Sequence, residues 1–291
     1  MKRLLILSGK GGTGKTTTAA AFVRFANAKA VADCDVDAPN LHIVTSHPGT
    51  PETSDFLGAD KAVIDPEKCI GCGTCEAHCR FDALIPGEDG TYSVNEFACE
   101  GCGVCNYVCP VGAVSMVKDI AGKKSLYRGD SVFSTATLKM GRGNSGKLVT
   151  EVKLAMLKNA PECDLAIVDG SPGIGCPVIA SSSGMDLILV VAEPSLSGIS
   201  DLQRLIKTAK TFQTDLAVCV NKWDSSPENT QAIEDFCKEN QIPFLGKIPY
   251  DPSASKAINQ GKSVADFPCP ARDALYEIYC NAMKILEVPV K

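Results

Sequence analysis

Ser8-Gly9-Lys10-Gly11-Gly12-Thr13-Gly14-Lys15-Thr16-Thr17 fills the phosphate-binding spacing G-x-x-x-x-G-K-[ST], with Gly9 opening the loop and Gly14-Lys15-Thr16 closing it. The apolar run Leu4-Leu5-Ile6-Leu7 before it reads as a buried strand, and Thr16 to Phe25 after it reads as a helix. Strand, loop and helix in that order are the setting in which such a loop cradles an anion. Glycines let backbone N–H groups converge on phosphate oxygens, the helix start points its positive dipole end at them, and Lys15 adds a full charge. Thr16 is then placed to hold Mg2+.

Lys10 is a second lysine that the basic spacing does not require. With it, Lys-Gly-Gly-x-Gly-Lys-Thr-Thr resembles the deviant phosphate loop of the superfamily of MinD, ParA, Mrp and the nitrogenase iron protein. The resemblance implies a Mg2+-dependent ATPase and a nucleotide-dependent homodimer, in which Lys10 reaches the nucleotide held by the partner subunit. It assigns nucleotide binding to Gly9, Lys10, Gly11, Gly12, Thr13, Gly14, Lys15, Thr16 and Thr17. Asp33-Cys34-Asp35-Val36-Asp37-Ala38-Pro39-Asn40 matches the first acidic switch of that superfamily. Asp35 is the group expected to position the attacking water and to join Thr16 in the Mg2+ site, with Asp37 in reserve. Three aspartates so close would repel unless a cation sits among them.

The buried run Asp164 to Val168 delivers Asp169-Gly170-Ser171-Pro172-Gly173, which matches the second switch and implies that Asp169 contacts Mg2+ through water while Gly173 senses the γ-phosphate. Cys176 stands at the offset of a cysteine that holds a subunit-bridging cluster in the nitrogenase iron protein. The polar loop 141–147 offers no second cysteine, so Cys176 reads as a structural or exposed thiol, and that loop as a plain lead into a helix. Asn221-Lys222-Trp223-Asp224 has the form Asn-Lys-x-Asp, which reads guanine in Ras-like GTPases; in MinD-like relatives the asparagine contacts adenine, so ATP is favoured over GTP. Ile248-Pro249-Tyr250-Asp251 resembles the segment that walls the base pocket, which adds Pro249 to the binding set.

Between these switches lie two cysteine runs. Cys69-x2-Cys72-x2-Cys75-x3-Cys79 and Cys99-x2-Cys102-x2-Cys105-x3-Cys109-Pro110 repeat the bacterial two-cluster ferredoxin spacing. In that arrangement the fourth cysteine of each run serves the other cluster. One [4Fe–4S] cluster is therefore expected on Cys69, Cys72, Cys75 and Cys109, and another on Cys99, Cys102, Cys105 and Cys79. Zinc is the competing reading, but it usually takes four cysteines in two pairs. Gly-Cys-Gly-Thr-Cys and Gly-Cys-Gly-Val-Cys make the insert an internal repeat, with short strands expected at 91–94 and 113–116.

Fifteen cysteines argue for metal or redox chemistry in a cytoplasmic protein rather than a disulfide framework. No secretory signal is read at the start, and no apolar run approaches the roughly 20 residues of a membrane span. The net charge of −5 sits in residues 60–118, which carry nine acidic and four basic side chains and leave 25 of each elsewhere. That acidity suits docking to a basic redox partner and equally a plain solvated acidic surface, and the lack of a basic stripe gives nucleic-acid binding little support. His42, His47 and His78 lack ligand spacing and read as surface or packing residues. Cys34, Cys163, Cys219, Cys237, Cys269 and Cys280 read as buried thiols.

The expected architecture is α/β: a mainly parallel P-loop sheet with helices on both faces over residues 1–59 and 119–291, and a ferredoxin-like α+β insert over 60–118. Residues 41–60 read as a connection. The expected function is ATP-dependent dimerisation coupled to electron transfer through two [4Fe–4S] clusters. An Mrp-like iron–sulfur cluster carrier and a ParA- or MinD-like nucleotide-switched scaffold are the alternatives.

Overall fold

The computed structural model describes residues 1–45, 47 and 49–290. These divide into two compact units: Met1–Thr53, Lys124–Thr137 and Ser145 onward form the first, and Ser54–Lys123 with Leu138–Asn144 form the second.

In chain order the elements begin with β1 (Lys2–Ser8), α1 (Lys15–Ala26), β2 (Ala30–Asp33), α2 (Leu41–Val44) and β3 (Glu52–Leu57). The cysteine-bearing stretch holds β4 (Lys61–Ile64), α3 (Thr74–Ala77), β5 (Leu84–Pro86), β6 (Tyr92–Val94), α4 (Val104–Val108) and β7 (Val114–Val117). Then come β8 (Ile120–Arg128), β9 (Val132–Leu138), α5 (Ser145–Asn159), β10 (Leu165–Pro172), α6 (Cys176–Ser182), β11 (Leu187–Ala192) and α7 (Leu196–Ala209). The chain closes with β12 (Asp215–Asn221), α8 (Pro227–Glu239), β13 (Phe244–Ile248), α9 (Pro252–Asn259) and α10 (Pro270–Leu286).

Nine strands form one sheet in the order β13-β12-β11-β1-β10-β2-β9-β8-β3. The pairs from β13 across to β9 are parallel. Parallel strands need helical crossovers that cover both faces, so the central strands are near-continuous apolar runs; every residue of β11 is buried, as are Leu4 to Ser8 of β1. On one face Leu4, Ile6, Ile167 and Leu189 meet Ala19 and Phe22 of α1 and Leu275, Ile278 and Met283 of α10. Phe22 and Tyr279 lock the two helices edge to face at 5.3 Å. Side-chain caps from Ser195, Ser226 and Asp251 start α7, α8 and α9.

Several expectations are corrected. Residues 41–60 are more than a connection, since they include α2 and the edge strand β3. The loop 141–147 leads into a helix as expected, though α5 begins inside it at Ser145, and the strand β9 precedes it. Cys163 and Cys280 are half-buried rather than buried, whereas Cys34, Cys219, Cys237 and Cys269 are buried. His42 and His78 are exposed, and His47 stacks on Phe133 at 3.9 Å, with burial pushing its pKa down to about 4.

The second unit is a two-fold repeat. β4 pairs antiparallel with β7, and β5 with β6, so each strand expected at 91–94 and 113–116 finds a partner that its sequence did not flag. Residues thirty apart do the same work. Asp65 N–H donates to the Ala113 carbonyl at 2.8 Å and Asn95 N–H to the Ala83 carbonyl at 2.8 Å. A Cβ on Gly71 would strike the Gly90 carbonyl, and one on Gly101 would strike the Asp60 carbonyl; both positions also have positive φ, so glycine is required twice over.

Candidate functional site

The carboxyl ends of β1, β2, β10 and β12 line one edge of the sheet, where a parallel sheet presents its ligand crevice. The register places Ile6 beside Asp169 and Asp169 beside Asp33, so two acidic side chains fall on one row at that edge. Lys15, at the start of α1, reaches into the row from the phosphate loop. Its ammonium donates to Asp169 Oδ1 at 2.7 Å and pairs with Asp35 Oδ2 at 3.6 Å. Thr16 Oγ1 donates to the other oxygen of Asp169 at 2.7 Å. The lysine that the aspartates demand is thus Lys15.

Burial decides what each carboxylate can do. Asp169 is fully buried, and Lys15 is 6% exposed. Burial alone would lower the Lys15 pKa, but Asp169 and then Asp35 hold it above the usual lysine value. Asp33 is also fully buried, and its oxygens accept from the backbone N–H groups of Asp35, Asn40 and Leu41, each at 3.0 Å. Burial and then the Asp169 charge push it up to about 7. Asp33 therefore shapes the loop 34–41, a role that the sequence reading had not separated from that of Asp35. Asp35, half-buried and raised chiefly by burial, is the switch aspartate that faces Lys15. Asp37 is exposed.

The phosphate loop is held from both sides. Gly14 has φ 93°, and a Cβ there would strike Asn221 Nδ2, so only glycine fits. Asn221 Nδ2 donates to the Thr13 carbonyl at 2.8 Å, and its Oδ1 accepts from Lys222 N–H at 3.0 Å. The residue expected to meet the base thus ties the end of β12 to the loop. One Asp224 oxygen accepts from the Tyr250 N–H at 2.8 Å, next to the half-buried Pro249. Gly173 N–H donates to the Ser8 carbonyl at 2.9 Å, which brings the second switch against the loop. Thr13 Oγ1 is buried without a hydrogen-bond partner among the described residues. Beside the loop a cavity of about 120 Å3 is lined by Thr16, Thr17, Asn40, Ile43 and Ile258, among others.

Lys10 lies on its own subunit's framework. Its ammonium pairs with Glu193 Oε2 at 2.8 Å and donates to Ser195 Oγ at 3.1 Å and Ser197 Oγ at 3.2 Å. The hydrogen bond from Lys10 holds the Glu193 carboxyl below its usual value.

In the second unit the eight cysteines line two cavities. Cys69, Cys72, Cys75 and Cys109 line one, and Cys79, Cys99, Cys102 and Cys105 line the other. Each quartet takes three sulfurs from one run and its fourth from the other. Gly73 and Gly103, both left-handed, start the short helices α3 and α4 that carry Cys75 and Cys105 inward. Cys75, Cys99 and Cys105 join Ala62, Ala83, Leu84 and Val114 in the core, while Cys72 and Cys102 are exposed. Among the described residues no three His, Cys, Asp or Glu side chains converge on one ion position.

A strand, a glycine-rich loop with a buried lysine, and aspartates on neighbouring strands define a phosphate-loop nucleotide-binding protein of the α/β class. The chain matches the CobQ/CobB/MinD/ParA nucleotide binding domain over residues 4–264, and it belongs to that family. It is 31% identical over 294 residues, 95% of either chain, to an uncharacterised protein of Methanocaldococcus jannaschii. It is 24% identical over 296 residues to an iron-sulfur cluster carrier protein of Pyrococcus horikoshii, covering 95% of this chain and 83% of that one. A stretch of 59 residues, 20% of this chain and 69% of the other, is 32% identical to the pyruvate synthase subunit PorD of M. jannaschii. The fold resembles the cell division ATPase MinD of Pyrococcus furiosus, with a TM-score of 0.57 at 18% identity over 98% of this chain and 99% of that one. Among the described residues no helix is long and apolar enough to cross a membrane.

Proposed function

We propose that the chain is a Mg2+-dependent ATPase whose nucleotide-driven dimerisation controls electron transfer through two [4Fe–4S] clusters in a ferredoxin-like insert. The observation that carries the proposal is the crossed pair of cysteine quartets in a chain that also holds the phosphate loop. Thr16 and Asp169 would hold Mg2+, and the two quartets would hold the clusters. When bound, Mg2+ supplies charge neutralisation on the phosphates, and the clusters supply one-electron carriage.

The chain's own groups do the rest. The loop amides and Lys15 bind the β- and γ-phosphates, and Lys15 shares its charge between them and Asp169. Asp35 orients a water for in-line attack: its oxygen bonds to the γ-phosphorus, the bond to the ADP oxygen breaks, and the water proton leaves toward the carboxylate side. The match to the MinD/ParA nucleotide binding domain supports ATP over GTP. In the dimer Lys10 exchanges its pairing with Glu193 for the nucleotide of the partner subunit. Lys10→Ala is expected to keep ATP binding and lose the ATP-dependent dimer; light scattering that finds the dimer intact would remove Lys10 from this role.

The coupling is tested by anaerobic ATP turnover with the protein oxidised and then reduced. Rates that differ several-fold are expected, and equal rates would overturn coupling through catalysis. Similarity to an iron-sulfur cluster carrier protein favours a second reading, in which the clusters are cargo. Loss of iron to an added apo acceptor protein would decide for that reading, and full retention for the first.

A further inference from the structure

The thirty-residue repeat gives each cysteine quartet an internal control. Counterparts are Asp60 and Gly90, Lys61 and Thr91, Ala62 and Tyr92, Glu76 and Asn106. The fold respects these pairs, because the carbonyls of Asp60 and Gly90 crowd Gly101 and Gly71 in the same way. At the second quartet, half-buried Lys61 donates its ammonium to the carbonyl of Cys99, one of the quartet's own residues. At the first quartet the counterpart Thr91 is neutral, and it turns away to donate to Asp89 Oδ1 at 2.8 Å. The first quartet also has Glu76, whose carboxylate accepts from Tyr92 at 2.7 Å, where the second has the neutral Asn106. Tyr92 itself lines the first cavity.

The remaining charges do not reverse this difference. Asp65 is paired with Lys68 near the first quartet, and Glu96 with Arg142 near the second. Glu100 lines the second cavity as Glu76 stands at the first, and both are exposed, so solvent and salt screen the two alike and the difference between the quartets rests on the half-buried Lys61 facing neutral Thr91. Reduction adds one negative charge to a cluster, so a fixed cation beside it favours the reduced form and a carboxylate disfavours it.

We infer that Lys61 makes the second quartet, Cys79, Cys99, Cys102 and Cys105, the resting place of an electron delivered to this unit by an external one-electron reductant. The inference rests on the reading of the quartets as [4Fe–4S] sites. Lys61 acts through the Cys99 backbone and is a tuning residue that touches no reactant. Its assignment also gives the two sites an order: an electron that reaches the first passes on to the second, with the first returned to its oxidised state.

The test is an anaerobic redox titration of the full chain followed by electron paramagnetic resonance, with Cys69→Ser and Cys99→Ser marking the signal of each quartet. Two unequal midpoint potentials are expected, the higher belonging to the second quartet. Lys61→Thr should lower that one alone, and Thr91→Lys should raise the other alone. Equal potentials, or Lys61→Thr leaving both unmoved while iron and sulfide content stay full, would overturn this inference and leave the cluster reading standing. A wild-type protein that holds no iron and sulfide would overturn the cluster reading and this inference with it.

Discussion

Lys15→Ala is expected to abolish the thermal stabilisation that MgATP should give the wild-type chain, and also to lower the melting temperature of the protein without nucleotide. The two effects have separate causes. Binding fails because the buried ammonium that neutralises the phosphates is gone; a charge-assisted contact of that kind is worth about 1.5–3 kcal/mol, roughly a factor of 10 to 100 in affinity. Stability falls because Lys15 is also the partner of Asp169, which is fully buried. Removing one member of a buried pair costs about 3–5 kcal/mol, a large share of a typical 5–15. Lys15→Ala with Asp169→Asn separates the causes, since it should recover much of the melting temperature and none of the nucleotide response. A double variant as unstable as Lys15→Ala would show that the pair does not set the loss.

The same site fixes a pH dependence. Asp33 has its folded pKa raised from the ordinary carboxylate range to about 7 by burial and by Asp169. Over that window the folded chain binds more protons than the unfolded chain, so this group's contribution to stability is full below about pH 4 and is lost as pH rises through 7. In Lys15→Ala the cation that opposes the shift is missing. The variant's stability should therefore fall more steeply between pH 5 and about 8 than that of the wild type, which urea titrations at several pH values would read.

What could be read from the sequence follows burial. β1, β10, β11 and β12 are covered on both faces by helices, so they appear as unbroken apolar runs whose ends place Lys15, Asp169 and Asn221. The edge strand β3 is Glu-Thr-Ser-Asp-Phe-Leu with only Phe56 buried, and its neighbour β8 is Ile-Ala-Gly-Lys-Lys-Ser-Leu-Tyr-Arg; strands this polar carry no period to find. β9 buries Ser134 and Thr135, and polar residues in a core strand read as loop. In the second unit β4 pairs with β7 some fifty residues away, through four residues each, too few to show alternation. Residue types at the site were legible because phosphate chemistry restricts them. The division of labour between Asp33 and Asp35 was not, since it depends on which carboxylate the loop 34–41 folds around.

Cys109→Ala is expected to remove the same cluster as Cys69→Ala, although Cys109 belongs to the other sequence run. About half of the bound iron and sulfide should be lost in either variant, and the surviving resonance signal should be identical in the two. Cys79→Ala should instead match Cys99→Ala. The reason lies in the crossed lining of the cavities, which puts Cys109 with Cys69, Cys72 and Cys75. The effect should extend beyond the metal. Cysteines and small residues make up much of this unit's core, with Ala62, Ala83, Leu84 and Val114 the main apolar side chains. A core that small gains much of its stability from the groups its ligands bind. Protease should therefore cleave between residues 54 and 123 in Cys109→Ala far faster than in the wild type. Cys176→Ala is the control: it alters an exposed thiol outside both quartets and should leave iron content and protease resistance unchanged. If Cys109→Ala instead shared its surviving signal with Cys99→Ala, each run would be binding its own cluster, and the crossed assignment would be wrong.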